Sequence, residues 1–142
     1  MKVILNYTYS STYALNLATY APGFFPNGQL AAALDSSFTE ISASHPVARG
    51  TTVQLYMNGL GPVQNTPADG WPATDASSTT TATPLITIGG QPATVTFSGL
   101  APGFADLYQV NATVPAASAT GLVPVTCSIG GVSCQTLSLY VQ

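Results

Sequence analysis

The sequence predicts an all-β sandwich, and two hairpin signals of one design carry that prediction. Leu85–Ser98 reads LITIGGQPATVTFS, two β-branched runs flanking Gly89-Gly90. Paired glycines supply the positive φ angles that a two-residue primed turn demands, so the stretch reads as a tight hairpin. Val123–Leu139 repeats the device, with Gly130-Gly131 separating VPVTCSI from VSCQTLSL. The third observation is punctuation: 13 glycines and 11 prolines break the chain into short segments, none patterned as a helix longer than a turn or two.

Taken in order, Lys2–Tyr9 and Tyr13–Thr19 alternate as strands, with Val3, Leu5, Tyr7 and Tyr9 on one face and Leu15 and Leu17 opposed to Asn16. They read as a hairpin turning at Ser10-Ser11. Residues 21–28 (APGFFPNG) form a breaker-rich corner, Gln29–Leu34 a short strand, Asp35-Ser36-Ser37 a turn, and Phe38–Ile41 its return. Ser44–Gly50 is a connecting loop. Thr51–Met57 alternates most clearly, Val53, Leu55 and Met57 inward and Thr52, Gln54 and Tyr56 outward. Residues 63–84 make a long irregular loop, of the kind that is usually functional or loosely ordered. After the central hairpin, Leu107–Val114 carries Tyr108, Val110, Ala112 and Val114 on one face. In the closing hairpin the phase slips by one residue between Cys134 and Leu137, which predicts a bulge. The expected core is Val53, Leu55, Val95, Phe97, Val110, Val114, Val125, Leu137 and Leu139. On that register Thr94, Thr96, Asn111 and Thr126 point outward, and Phe97→Ala costs about 3–5 kcal/mol. APGF recurs at residues 21–24 and 101–104, and GL(G/A/V)P at Gly59, Gly99 and Gly121, which fits a duplicated unit or one reused corner.

A chain of 142 residues is one domain with one real core, divided here into an N-terminal hairpin (1–20) and the sandwich (21–142). Only 5% of residues are charged, against roughly 25% in an ordinary soluble domain. Lys2 and Arg49 alone cannot neutralise several phosphates, so nucleic acid is not an expected partner. No apolar run reaches the length of a membrane span. MKVILNYTYS begins like a signal peptide, but its apolar run ends at Asn6. Met1 therefore reads as the start of a fragment or an artificial start, with any secretory signal outside this chain.

With a two-residue turn at Gly130-Gly131, Ile129 faces Val132, Ser128 faces Ser133 and Cys127 faces Cys134. The cysteines fall on a hydrogen-bonded pair, where Cα atoms sit about 5.5 Å apart. Two readings follow, buried thiols or a disulfide, and the register favours the disulfide. It contributes at most roughly 2–3 kcal/mol by the loop-entropy argument and implies an oxidising, extracellular setting.

The residues also carry a family likeness. TPLITIGGQPATVTFSGLAPGFADLYQVNATVPAASATGLVPVTCSIGGVSCQ resembles the immunoglobulin-like plexin and transcription-factor (IPT/TIG) fold, through its IGGxPA hairpin and QVNxxVP strand. With APGFFPNGQLAAAL and PVARGTTVQLYMNGLGPV added, residues 20–142 more closely resemble a C-terminal domain family of secreted bacterial proteins. Members of that family have no assigned activity. The resemblance implies an Ig-like antiparallel sandwich with an extra N-terminal hairpin, in a secreted or cell-surface protein, and supplies no catalytic residues. Cys127 and Cys134 depart from it, standing where such sequences show Val and Ser. Residues 1–20 look like the last two strands of a preceding repeat.

Candidate chemistry is thin. His45 precedes Pro46 in a loop, and without a GxSxG-like elbow it does not read as part of a Ser-His-Asp triad. One histidine and two bridged cysteines cannot complete a zinc site. Asp69, Trp71 and Asp75 form a candidate ligand loop, although the acid spacing matches no calcium loop, so no metal and no cofactor is expected. Tyr7, Tyr9, Tyr13, Tyr20, Tyr56, Trp71 and Tyr108 could build a sugar-stacking platform, but half-buried packing is the plainer reading. Asn6-Tyr7-Thr8 and Asn111-Ala112-Thr113 fit the glycosylation sequon, which carries no meaning in a bacterial protein. The expected function is a non-catalytic structural or adhesive module whose partners are copies of itself or neighbouring Ig-like domains. The alternative is a carbohydrate-binding module of an exported enzyme, meeting surface glycans. Val3, Leu5, Tyr7, Leu15 and Leu17 are the candidate interface, because their apolar face has no obvious home in this domain. The segment either folds back on its own sheet or is donated to the next copy as a strand, giving a fibre.

Overall fold

The computed structural model describes residues 2–142, so Met1 and its expected role as a start lie outside the described residues. The strands, in chain order, are β1 (Ile4–Leu5), β2 (Thr8–Tyr9), β3 (Gly23–Phe24), β4 (Pro26–Asn27), β5 (Leu30–Ala31), β6 (Ala33–Leu34) and β7 (Thr52–Asn58). They continue as β8 (Leu85–Ile88), β9 (Gln91–Leu100), β10 (Tyr108–Thr113), β11 (Gly121–Ile129), β12 (Val132–Ser133) and β13 (Leu137–Val141). There is no helix among the described residues, and the pairing is antiparallel except for β5 on β13 and one isolated bridge.

The β8–β9 hairpin forms as the glycine pair requires. Ile88 pairs with Gln91, and Gly89 and Gly90 take φ of 61° and 77°. Strand β9 is ten residues long and serves both layers of the sandwich. Its start pairs with β8, leading on to β11, β13, β5 and β4. From Thr94 it pairs with β10, leading on to β7.

The opposite seam is built from residues 23–34, where the sequence suggests a corner and one strand. Instead β3 and β6 both lie antiparallel on β7, through Phe24–Met57 and Ala33–Leu55. Between them Pro26–Ala31 leaves the layer as a small hairpin, and Leu30 pairs in parallel with Ser138 of β13. The neck is closed by the Ala32 N–H donating to the Phe25 carbonyl at 2.7 Å. Gln135 reinforces the seam. Its side-chain amide donates to the Phe24 carbonyl at 2.6 Å, and its oxygen accepts from the Phe24 N–H at 3.3 Å. The side chain thus pairs with backbone as a strand would. Gln135 is free to do this because it lies in the expected irregularity between Cys134 and Leu137: Ser128 pairs with Ser133, yet Val125 pairs with Leu137, one residue out of step. Joined at both seams, the sandwich is close to a barrel, which leaves few exposed strand edges.

Core positions follow the alternation with one correction. Val53, Leu55, Val110, Val114, Val125 and Leu139 are buried, and Val95 and Leu137 are half-buried against them. Phe97 is not in this core. A bulge in β9 sets Val95 opposite Ala112 but Phe97 opposite Asn111, so Thr96 is the extra residue and Phe97 turns to the outer face. The expected Phe97→Ala cost of about 3–5 kcal/mol does not apply to that position.

Cys127 and Cys134 are bridged, with Cα atoms 5.4 Å apart on the expected register. The two APGF copies differ in role: Phe24 is buried on β3, whereas Phe104 is exposed in a turn.

The N-terminal segment also differs. Its hairpin turns at Asn6-Tyr7, both at positive φ, with Ile4 opposite Tyr9, and not at Ser10-Ser11. Asn tolerates that conformation because its short polar side chain bonds locally. Ser10 instead closes the hairpin, donating its N–H to the Val3 carbonyl and accepting from the Val3 N–H. The expected strand Tyr13–Thr19 is absent, and β1 and β2 form a two-stranded sheet of their own. Every residue from Lys2 to Thr19 is exposed, Tyr7 at 97% and Leu17 at 95%. The chain is gripped from Tyr20 onward. The Ala21 N–H donates to the Gly59 carbonyl, and the Tyr20 ring lies against Gly61 and Gly130, where a Cβ on either glycine would overlap it.

Candidate functional site

The residues singled out in the 63–84 loop are brought together only in part. Asp69 and Trp71 line a cleft of about 490 Å³ with Asp106 and Tyr108. Asp75 is not in its wall. It caps its own turn, accepting the Ser77 N–H at 2.8 Å, and hydrogen bonding from the Ser77 side chain first and its N–H second holds the carboxyl below the usual value. Trp71 stands exposed at the rim. No group of three or more His, Cys, Asp or Glu side chains is placed to hold a metal among the described residues. The tyrosines do not form one platform: Tyr7, Tyr9 and Tyr13 belong to the N-terminal arm, Tyr20 is packed between glycines, and Tyr56 and Tyr108 line different hollows.

His45 does find a carboxylate. Its Nε2 lies 2.8 Å from Oδ2 of Asp35, a pair that the alternation did not reveal because both residues sit in turns. The Ser42 and Ser44 hydroxyls beside it bond each other at 3.1 Å. The role of Asp35 is architectural, since Oδ1 also accepts the N–H groups of Ser37 and Thr39. The His45 bond first, then those of Thr39 and Ser37, hold the Asp35 carboxyl below its usual 3.8. A depressed carboxylate contributes stability above its unfolded value, and that contribution is lost as pH falls through the folded one. In urea unfolding from pH 7 to 2, the gap between wild type and Asp35→Asn is therefore expected to stay constant at neutral pH. It should shrink as pH drops below about 4. A gap that widens toward acid would contradict this assignment.

The larger hollow was not foreseen. On the outer face of β7, β9 and β10, a groove of about 690 Å³ is walled by Leu34, Phe38, Phe97 and Phe104. Its floor is an amide ladder. Gln109 Nε2 donates to Oδ1 of Asn111 at 2.7 Å and to Oε1 of Gln54 at 3.3 Å, and the Tyr56 hydroxyl donates to the same Gln54 oxygen. Asn111 pairs with Gln54 and Gln109 with Tyr56 across β10 and β7, so the ladder follows from outward positions already assigned. That alignment of amides was the available signal. Phe97 was the concealed part, because the bulge delivers it. No residue lining the groove is charged, and burial lifts the Tyr56 phenol above 10.

Phe38 is held at the rim under strain, 72% exposed with φ of 60°. A bulky residue in the left-handed region is a true outlier, costing roughly 1–2 kcal/mol. Such strain concentrates at sites where the side chain itself is needed. Phe38→Asn is therefore expected to raise stability by about 1 kcal/mol in urea unfolding, since Asn accepts that backbone. A loss of stability would mean that Phe38 packs as a core residue.

No family model, curated protein or solved structure matches this chain.

Proposed function

We propose that this chain is a non-catalytic structural or adhesive module of an exported bacterial protein, working outside the cell by association with copies of itself. The observation that carries the reading is the run Lys2–Thr19, exposed throughout and including Val3, Leu5, Tyr7, Leu15 and Leu17. Exposed large apolar side chains gathered in one segment are what an interaction site presents. Between Lys2 and Asp35 the sequence carries no charge, which removes electrostatic repulsion between copies. The Cys127–Cys134 disulfide supports an oxidising compartment, and the likeness of residues 20–142 to secreted bacterial C-terminal domains supports the same setting.

Sedimentation equilibrium tests this. The full chain is expected to associate as concentration rises, and a chain lacking residues 1–18 to stay a folded monomer, because Tyr20 and the whole core are retained. A full chain that is monomeric at all concentrations overturns the reading. A second reading, a module for neutral glycans, is favoured by Trp71 standing over its cleft. Trp71 is the only tryptophan, so its fluorescence reports directly on titration with cellohexaose.

A further inference from the structure

Two apolar features of the chain complement one another. One is the strandless part of the arm, residues 11–18, in which Tyr13, Leu15 and Leu17 recur at every second position and reach the same side when the segment is extended. The other is the groove on the outer face of β7, β9 and β10. We infer that this groove receives residues 11–18 of a second copy, an inference that rests on the self-association reading above and names its site.

The chemistry of the two surfaces agrees. Phe38, Phe97, Phe104 and Leu34 offer apolar walls to Leu15, Leu17 and Tyr13. The amide floor faces a peptide's own donors and acceptors, and Gln109, whose Nε2 already bridges Gln54 and Asn111, holds that floor in a fixed orientation. Neither surface carries a charge, so burying one against the other strands no ion. An anionic glycan, a nucleic acid or an acidic peptide would find no counter-charge in the groove. The strained Phe38 belongs to this account, since it gives a rim aromatic whose cost the fold carries without packing in return. In the single chain both surfaces are exposed, and Tyr20 packs against Gly61 and Gly130 of the sandwich. Docking into a neighbour covers both at once. Because arm and groove are different surfaces, the contact is head-to-tail and does not close on itself, which gives a filament.

The decisive experiment is a complementation. An arm variant, Leu15→Ser with Leu17→Ser, and a groove variant, Phe97→Ser with Phe104→Ser, are each expected to remain monomeric where the full chain assembles, with association weakened at least tenfold. Mixed in equal amounts, they retain one intact groove and one intact arm, and are expected to give a 1:1 heterodimer and nothing larger in sedimentation velocity. Phe38→Asn is the second groove variant, expected to fold with undiminished stability and still weaken assembly. If groove variants assemble as the full chain does while the arm variant does not, self-association stands and the groove assignment fails. If the full chain is monomeric throughout, both fail. Two folded monomeric variants that do not dimerise on mixing overturn the assignment, as does an arm that seats in its own groove, seen as groove amide shifts independent of concentration. Cellohexaose shifting the groove amides of the chain lacking residues 1–18, where a synthetic Ser11–Thr19 peptide does not, would give the groove to glycans and overturn it too.

Discussion

Leu55→Ala is expected to cost about 3–4 kcal/mol. Leu55 is completely buried at the middle of β7, with Val110 of β10 on one side and Ala33 of β6 on the other. Both flanking strands are fixed by backbone pairing, so the vacated space cannot collapse and the cavity term is kept in full. Phe97→Ala, a larger truncation, is expected to cost only about 1 kcal/mol, because the β9 bulge has already placed that ring on the outer surface. Urea unfolding of the two variants measures the difference at a common slope. Equal losses would mean that Phe97 points into the core and that the bulge is misplaced.

Gly59→Ala is expected to cost about 3 kcal/mol by a different route. Gly59 has φ of 68°, and an added Cβ would overlap the Ala21 carbonyl, part of the backbone that fixes the start of the sandwich. Left-handed strain contributes roughly 1–2 kcal/mol and the forced displacement a further 1–3. Gly28→Ala is the control. It has a similar φ of 61° with nothing within 4 Å of the added atom, so it should show the strain alone, about 1 kcal/mol. A Gly59 variant no worse than the Gly28 variant would show that the Ala21 carbonyl yields freely.

Where local chemistry decides the structure, the sequence was sufficient to read it. The Gly89-Gly90 and Gly130-Gly131 turns fix their registers within a few residues, and from the second of them the cysteine pairing follows by counting. Alternation likewise identified the buried faces of β7 and β10. What was hidden depends on distant partners. The bulge at Thr96 leaves no mark in ATVTFS, because a strand with an extra residue looks like one without until its neighbour is known. Residues 23–34 read as a corner and a strand because no local rule says that one segment will serve two layers. At the N-terminus, apolar alternation through Val3, Leu5, Tyr7 and Tyr9 outweighed Asn6 as a turn signal. The groove needed both kinds of information: its amide floor was legible as outward positions, while Phe97, Phe104 and Phe38 converge on it only through the bulge, the 101–104 turn and the Asp35 turn.

The position of β13 in this topology has a kinetic consequence. Strand β5 rests on it, and the segment after His45 is tied to the same stretch by the Val47 N–H to Tyr140, the Gln142 N–H to Val47 and the Arg49 N–H to Gln142. Phe24 waits equally on Gln135. Strand β5 and the segment after His45 thus find these partners only in residues 138–142, whereas β6, β7, β9 and β10 pair among themselves. Contacts so distant along the chain place folding in the millisecond-to-second range. The seam over β13 is therefore expected to be the last part of the fold to close.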